Sequence, residues 1–258
     1  MRARNLNIAI CLMSKLLEQR LDRLLATGPS TLLQRGRKGL EKESLRITVE
    51  GQIATTPHPH AWGAPLTHPY ITTDYSEALP ELITPPFEDM TDTVNFLDQT
   101  HRFLYQHLDS DELLWAASMP CAVSDDHAIP IAQYGRSNVG RMKHVYRVGL
   151  DYRYGRRMQA IAGVHFNYSL PESFWPVYQA SENSDEPLQQ FINRAYFALI
   201  RNFKRLGWMV PFLFGNYPAV CKPFLAVRHT PYAEHFRGCA HSPQSTRLRL
   251  RALEFHNK

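Results

Sequence analysis

Leu40-Glu41-Lys42-Glu43-Ser44-Leu45-Arg46-Ile47-Thr48-Val49 reads as a β-strand, because its side chains alternate in character with a period of two. Successive strand side chains point to opposite faces, so Glu41 and Glu43 project from one side, together with Leu45 and Ile47. The two apolar residues predict that this side is partly buried. Two carboxylates on such a face repel each other unless a cation sits between them, and a hard divalent ion with oxygen ligands is the natural partner. The alternative is a solvated strand edge with Lys42 and Arg46 nearby. The spacing alone leaves both readings open.

Upstream, leucines at 16, 17, 21, 24 and 25 predict an amphipathic helix over 14–26, ended by Gly28-Pro29, and Gln34–Gly39 reads as a basic loop. Downstream, Glu50-Gly51 makes a turn, and the proline-rich stretch 54–69 reads as a loop. Ile71–Thr84 looks extended and is closed by Pro85-Pro86. Helical spacing recurs over 91–108 and, with Pro187 in its first turn, over 187–206. The stretch 109–140 reads as irregular, 141–161 as partly helical, Val164–Leu170 as a strand and Trp208–Phe214 as a buried apolar segment. Separated hairpin-like strands mixed with helices predict an α+β fold. No repeat or linker divides the chain, so a single domain over 1–258 is expected, with a divergent tail at 228–258.

Three further groups of residues bear on chemistry. Thr72–Glu81 holds Asp74, Glu77 and Glu81. In a regular strand Glu77 and Glu81 share a face and Asp74 points away, so a bulge is needed to bring Asp74 round; Pro80 implies an edge or a bulge. Surface charge is the alternative. In Gly163–Ser169, the residues His165, Asn167 and Ser169 share one face, opposite Val164, Phe166 and Tyr168. His165 is either a structural histidine or a metal ligand or donor to substrate. Finally, Arg136, Arg141, Lys143, Arg147, Arg153, Arg156 and Arg157 are interleaved with Tyr134, Tyr146, Tyr152 and Tyr154. This suits phosphate or carboxylate binding, single-strand nucleic acid, or a solvated helix face.

Composition narrows the classes. The chain has 258 residues, 29 basic and 24 acidic side chains, and 44% hydrophobic residues, enough for a full core. No apolar run reaches membrane-spanning length, and the run Ile8–Met13 reads as a helix start, with a leader not expected. Cys11, Cys121, Cys221 and Cys239 lack paired-ligand spacing, so thiols in a reducing cytosol are expected, not a disulfide framework or zinc cluster. Most of the +5 net charge sits in residues 228–258, which weakens a nucleic-acid reading. There is no phosphate-binding glycine loop of the G-x-x-x-x-G-K-[ST] type, no paired-glycine dinucleotide motif and no G-x-S-x-G. Carboxylates, one histidine and a basic cluster suit metal-assisted phosphoryl chemistry better than covalent catalysis.

Several of these stretches together resemble bacterial glutamate–cysteine ligase of the proteobacterial type. They are Gln34-Arg35-Gly36 with Gly39–Arg46, Leu66-Thr67-His68 with Ile71–Leu79, Ser118–Cys121, Ala132–Gly135, Gly163–Ser169, Ile200-Arg201-Asn202 and Pro211–Gly215. The likeness runs in order from about residue 31 to 227 and corresponds to the family's N-terminal half. It implies an antiparallel sheet curving around the active site with helices behind, similar to glutamine synthetase. The implied activity is the first step of glutathione biosynthesis. ATP phosphorylates the γ-carboxylate of L-glutamate, and the amine of L-cysteine attacks the acyl phosphate. The resemblance implies metal ligation (Mg²⁺ or Mn²⁺) by Glu41, Glu43, Asp74, Glu81 and His165, with Glu41, Glu43 and His165 central to catalysis. It implies a cysteine pocket near Tyr75, Tyr146, Arg147, Leu150 and Gln159, with Arg249 also at a substrate position. A cytoplasmic monomer that binds neither nucleic acid nor membrane is expected.

Two departures stand out. Family members are much longer, and their second half supplies another metal-binding glutamate, an arginine and much of the nucleotide site. The tail Ser242–Phe255 also diverges: Arg247, Arg251, Ala252 and Glu254 fall where the family has Ser, Asp and Gly positions, and Phe255 stands where it has a substrate-contacting tyrosine. The expectation is a reading-frame disturbance or gene decay, giving an N-terminal fragment, and the alternative function is an inactive fragment of the ligase.

Overall fold

The strand that was expected to run from Leu40 to Val49 forms and then breaks. In the computed structural model, β1 spans Arg37–Glu43 and a short β2 spans Arg46–Thr48. The two strands belong to different sheets. The structure describes residues 15–26, 29–120, 123, 125–213, 219–221, 234–236 and 239–241. The expectations placed on the divergent stretch Ser242–Phe255, Arg249 included, and on Cys11 and Cys121, lie outside them.

The chain divides into two compact units. The second, Gly39–Pro86 with Thr91–Asn167 and Leu206–Lys258, carries the candidate site. Its main sheet has the strand order β3-β4-β1-β6, where β3 is Ile71–Thr73, β4 is Pro80–Ile83 and β6 is Val164–Ser169. β3 pairs antiparallel with β4, and β4 with β1, with Glu43 directly opposite Glu81 and Lys42 opposite Leu82. Along β6 the partners run in the reverse sense to β1. Glu43 N–H donates to Gly163 O, and His165 meets Glu41. The segment 71–84 is therefore a strand pair joined by a turn, not one extended run. Pro80 tolerates its central strand because it is the first residue there, where a missing N–H costs least.

Two apolar cores sit in this unit. One gathers Leu45, Ile47, Tyr75, Leu79, Ile129 and Ala160. The other puts Ile71 and Leu82, on the face opposite the glutamates, against Trp62, Leu97 and Leu104. The last two come from α3, Met90–Gln106, the helix read from its three- and four-residue spacing. The stretch 109–140, read as irregular, contains β5, Glu112–Leu114, paired antiparallel with β2. The mechanism of the break at Ser44 lies here. Leu45 O accepts from Trp115 N–H, so the chain leaves one sheet and enters another, and Glu43 through Ile47 are all buried. Arg46, which alternation would send to solvent, is wholly buried.

Helix α4, Asn138–Tyr154, begins where Ser137 Oγ accepts from Gly140 N–H at 3.1 Å and ends at Gly155, whose φ of 77° closes the last turn. Gly140 has no room for a side chain, since a Cβ there would meet the Tyr134 carbonyl. Ser137→Ala is expected to cost about 1 kcal/mol in urea unfolding. An unchanged midpoint would show that the cap does not anchor this helix. A short α5, Arg156–Gln159, follows.

The first unit holds Met1–Lys38, Phe87–Met90 and Tyr168–Arg205. Its described helices are α1 (15–26), α2 (Pro29–Gln34), α6 (Phe174–Ser181) and most of α7 (Leu188–Leu206). Their core joins Phe174, Trp175 and Phe191, with Leu24, Leu33, Ile192 and Ala195 against it. Only the first half of the α7 apolar stripe is used, while Leu199, Ile200 and Phe203 remain exposed. The expectation of a buried Trp208–Phe214 is overturned. Trp208 and the residues Met209, Val210, Phe212 and Leu213 of α8 (Met209–Leu213) are exposed, because no described element packs over them. Three short strands, β7 (Ala219–Cys221), β8 (Glu234–Phe236) and β9 (Cys239–His241), form a separate antiparallel sheet in the order β7-β9-β8. No helix among the described residues is long and apolar enough to cross a membrane.

Candidate functional site

Register puts the acids together. Residues directly opposite in an antiparallel pair share a face, so Glu41, Glu43 and Glu81 project from one side of the sheet. β6 brings His165 and Asn167 to the same side. His165 Nδ1 lies 3.0 Å from Glu41 Oε2, and Asn167 Nδ2 donates to Glu41 Oε1 at 2.8 Å. One ligand atom from each of Glu41, Glu81 and His165 falls within a 4.8 Å span, close enough for a single metal ion.

Glu43 is nearly fully buried. Its Oε2 accepts from Gly163 N–H at 2.7 Å, whereas its Oε1 is buried with no hydrogen-bond donor. An orphaned carboxylate oxygen facing other acids is costly as it stands and is satisfied by a cation. The electrostatics agree. Burial, reinforced by Asp74, pushes the Glu43 carboxyl up to about 7. Burial, with Asp74 and Glu43 adding to it, pushes Glu81 up to about 7 as well. His165 moves upward. Partial burial opposes the shift, but the Glu41 hydrogen bond and the carboxylates around it win. Lys42 does not neutralise the cluster. It lies on the opposite face, bonds Ser44 Oγ at 2.7 Å, and burial lowers its own pKa.

Asp74 enters without the bulge predicted for it. It sits just past β3, in the turn before β4, and acts on Glu43 and Glu81 through its charge. Glu77, expected to share a face with Glu81, instead joins two loops, accepting from His58 N–H and Gln133 N–H. The residue that fixes Asp74 is Arg147, whose Nε donates to the Asp74 carbonyl and whose guanidinium stacks 4.7 Å from the Tyr134 ring. Tyr134 Oη donates to the Thr73 carbonyl at 2.8 Å. Tyr134 belongs to the Ala132–Gly135 stretch and to the tyrosines of the basic cluster, and neither reading points to Asp74. Its spacing from Asp74 carries no local signal, because the contact joins residues 60 apart.

The remaining pocket residues divide. Tyr75 is buried, its hydroxyl has no hydrogen-bond partner, and burial, helped by Asp151, pushes it up to about 12. Leu150 packs on the same core as Tyr75. Gln159 is half-buried at the end of α5, and Tyr146 is exposed on α4. The basic cluster is not a uniform positive surface, since Arg156 pairs with Asp151 and Arg157 with Asp126.

A family model described as glutamate-cysteine ligase matches residues 21–258. The chain is 52% identical over 243 residues to the glutamate–cysteine ligase of Alcanivorax borkumensis, covering 94% of this chain and 46% of that protein. It is 48% identical over 245 residues to that of Pseudomonas putida, again covering 46% of the relative. Among solved structures it matches the glutamate–cysteine ligase of Francisella tularensis in complex with AMP, with a TM-score of 0.75 and 34% identity over 84% of this chain and 42% of that one. A bifunctional glutathione synthetase from Pasteurella multocida matches with a TM-score of 0.66 and 34% identity. The chain thus spans about half the length of the curated relatives it matches. With ordered motifs, fold and family model agreeing, this chain belongs to the glutamate–cysteine ligase family.

Proposed function

We propose that this chain carries the cation- and amino-acid-binding part of an ATP-dependent glutamate–cysteine ligase, acting in the first step of glutathione biosynthesis in the cytoplasm. The observation that supports it most directly is the facing pair Glu43 and Glu81, beside Glu41 and His165, with one buried carboxylate oxygen left without a donor. Four acids and a histidine suit Mg²⁺ or Mn²⁺, hard ions that prefer oxygen ligands. Bound there, the ion would neutralise charge developing on transferring phosphoryl oxygens.

The chain's own residues do the holding. Glu41, Glu43, Asp74, Glu81 and His165 form the ligand set, and Asn167 fixes the Glu41 carboxylate. Arg147 holds the Asp74 backbone in place. Tyr75, Tyr146, Leu150 and Gln159 border the cysteine subsite. Neither phosphorylation of the glutamate γ-carboxylate nor attack by the cysteine amine on the acyl phosphate needs a protein nucleophile. The substrates are L-glutamate, L-cysteine and ATP, and a monomer suffices for this reading.

The decisive assay is ADP release by the purified chain. The ligase reading expects release that requires Mg²⁺, glutamate and cysteine together; release indifferent to cysteine would count against it. A second reading, an inactive fragment of the ligase, is favoured by the 46% span of the relatives and expects no turnover. Ion binding separates the cation site from turnover. Glu81→Gln is expected to weaken Mn²⁺ binding by at least about tenfold, read by electron paramagnetic resonance.

A further inference from the structure

Asp74 stands at a corner that repulsion works to open. Its charge acts on Glu43 and Glu81, and like charges drive each other apart. The corner is held through its backbone. Asp74 N–H donates to Leu79 O at 3.0 Å across the turn, and its carbonyl accepts from Arg147 Nε. Tyr134, which has no place in the ligand set, supports this corner in two ways. Its hydroxyl donates to the Thr73 carbonyl at 2.8 Å, accepts from Thr73 Oγ1 at 2.9 Å, and has the Asp74 carbonyl next at 3.2 Å. Its ring carries the Arg147 guanidinium at 4.7 Å and Lys143 Nζ at 5.2 Å. Tyr134 is itself fixed. It is buried, and α4 passes so close that a Cβ on Gly140 would lie 2.3 Å from its carbonyl oxygen. His144 of the same helix meets the Ala132 carbonyl at 2.9 Å. Gly140, Lys143 and Arg147 recur at three- and four-residue steps, so one face of α4 packs against Tyr134.

We propose that Tyr134 is a positioning residue for the cation cluster: its hydroxyl sets the Thr73–Asp74 corner and its ring seats Arg147, and together they hold the Asp74 carboxylate toward Glu43 and Glu81. This role rests on the cation reading of the cluster and goes beyond it, since Tyr134 is not among the ligands. The hydroxyl and the ring have separable jobs. Without the hydroxyl, the buried Thr73 loses this donor to its carbonyl and the corner is free to open, while Arg147 keeps its stack. Without the ring, Arg147 loses its seat as well. A brace that only adds stability behaves otherwise: its loss lowers the unfolding midpoint and leaves ion affinity alone.

The test is Mn²⁺ titration of the full chain by electron paramagnetic resonance, with amide exchange read at Asp74. In the wild-type chain Asp74 N–H should exchange about as slowly as Leu82 N–H, in the central strand beside it. Tyr134→Phe keeps the ring and is expected to weaken Mn²⁺ binding about tenfold and to speed Asp74 exchange about tenfold relative to Leu82. Inserting 4-aminophenylalanine at position 134 returns a donor and should recover most of the lost affinity. Unchanged Mn²⁺ affinity in Tyr134→Phe overturns the inference, whatever happens to the urea midpoint. So does rapid exchange of Asp74 in the wild-type chain, a measurement that needs no variant to fold. A wild-type chain that binds no Mn²⁺ sinks the cation reading instead. The exchange rates at Asp74 then still decide whether Tyr134 holds the corner.

Discussion

Arg46→Ala is expected to cost about 3 to 5 kcal/mol and to leave the protein largely unfolded at 37 °C. Arg46 is wholly buried, and its guanidinium donates to four acceptor atoms on three residues. Nη1 donates to Glu112 Oε2 at 2.9 Å and to Thr56 Oγ1 at 2.6 Å, while Nη2 donates to the Thr56 and Glu77 carbonyls. The Trp62 ring lies 5.9 Å away. Truncation leaves Glu112 buried and charged with its cation gone, and opens a void beside Trp62. Glu112→Gln is expected to cost less, because the amide oxygen can still accept from Nη1 while Thr56 and the Glu77 carbonyl keep their bonds to Nη1 and Nη2. Urea unfolding followed by near-ultraviolet circular dichroism reads both. A loss under 1 kcal/mol for Arg46→Ala would show that solvent reaches the site and replaces these bonds.

The second large effect couples pH to divalent ions. Glu43 and Glu81 both move up to about 7, through burial and the neighbouring carboxylates. Each binds its proton more tightly folded than unfolded. Between pH 4.5 and 7 the folded state therefore carries more protons, and stability falls as pH rises. The fall is roughly 3 kcal/mol for one such group, and less for the second because the first proton relieves it. Without divalent ions, the urea midpoint should thus drop from pH 5 to pH 8. Millimolar Mn²⁺ should restore it at pH 8 and do little at pH 5, where the ligands hold protons. Glu81→Gln should make the metal-free profile shallower, leaving the part due to Glu43, and should weaken the Mn²⁺ effect. A profile that is flat without metal, or one that Mn²⁺ leaves unchanged, would refute the cluster as a cation site.

How far the sequence reveals this architecture differs from residue to residue. The helix over 91–108 is legible because its apolar period matches the face that packs on the sheet. The common face of Glu41 and Glu43 is legible because strand geometry is local. The end of β1 is not. Ser44 looks like one more step in an alternation, and the switch to a second sheet depends on Trp115, some seventy residues away. Arg46 misleads for the same reason, since its buried partner Glu112 is remote and the pattern rule sends a lone arginine to solvent. The turn at Asp74 hides in a segment whose composition suits a strand, and only the Arg147 and Tyr134 contacts reveal it. The motif resemblance, in contrast, points to the proposed ligand set without geometry, because it compares whole patterns.

The bonds that join β1 to β6 have a kinetic side. Glu43 and Gly163 are 120 residues apart, and Glu41 and Asn167 are 126 apart. Closing a loop that long costs about 4 kcal/mol of chain entropy before any contact repays it. During synthesis at about 5 to 20 residues per second, β1 leaves the ribosome roughly 6 to 25 s before β6 exists to meet it. The glutamates of β1 spend that interval in water as ordinary, separately charged acids. A metal ion therefore has no assembled nest to enter early on. An ion at the proposed site would enter during or after the pairing of β1 with β6, not before it.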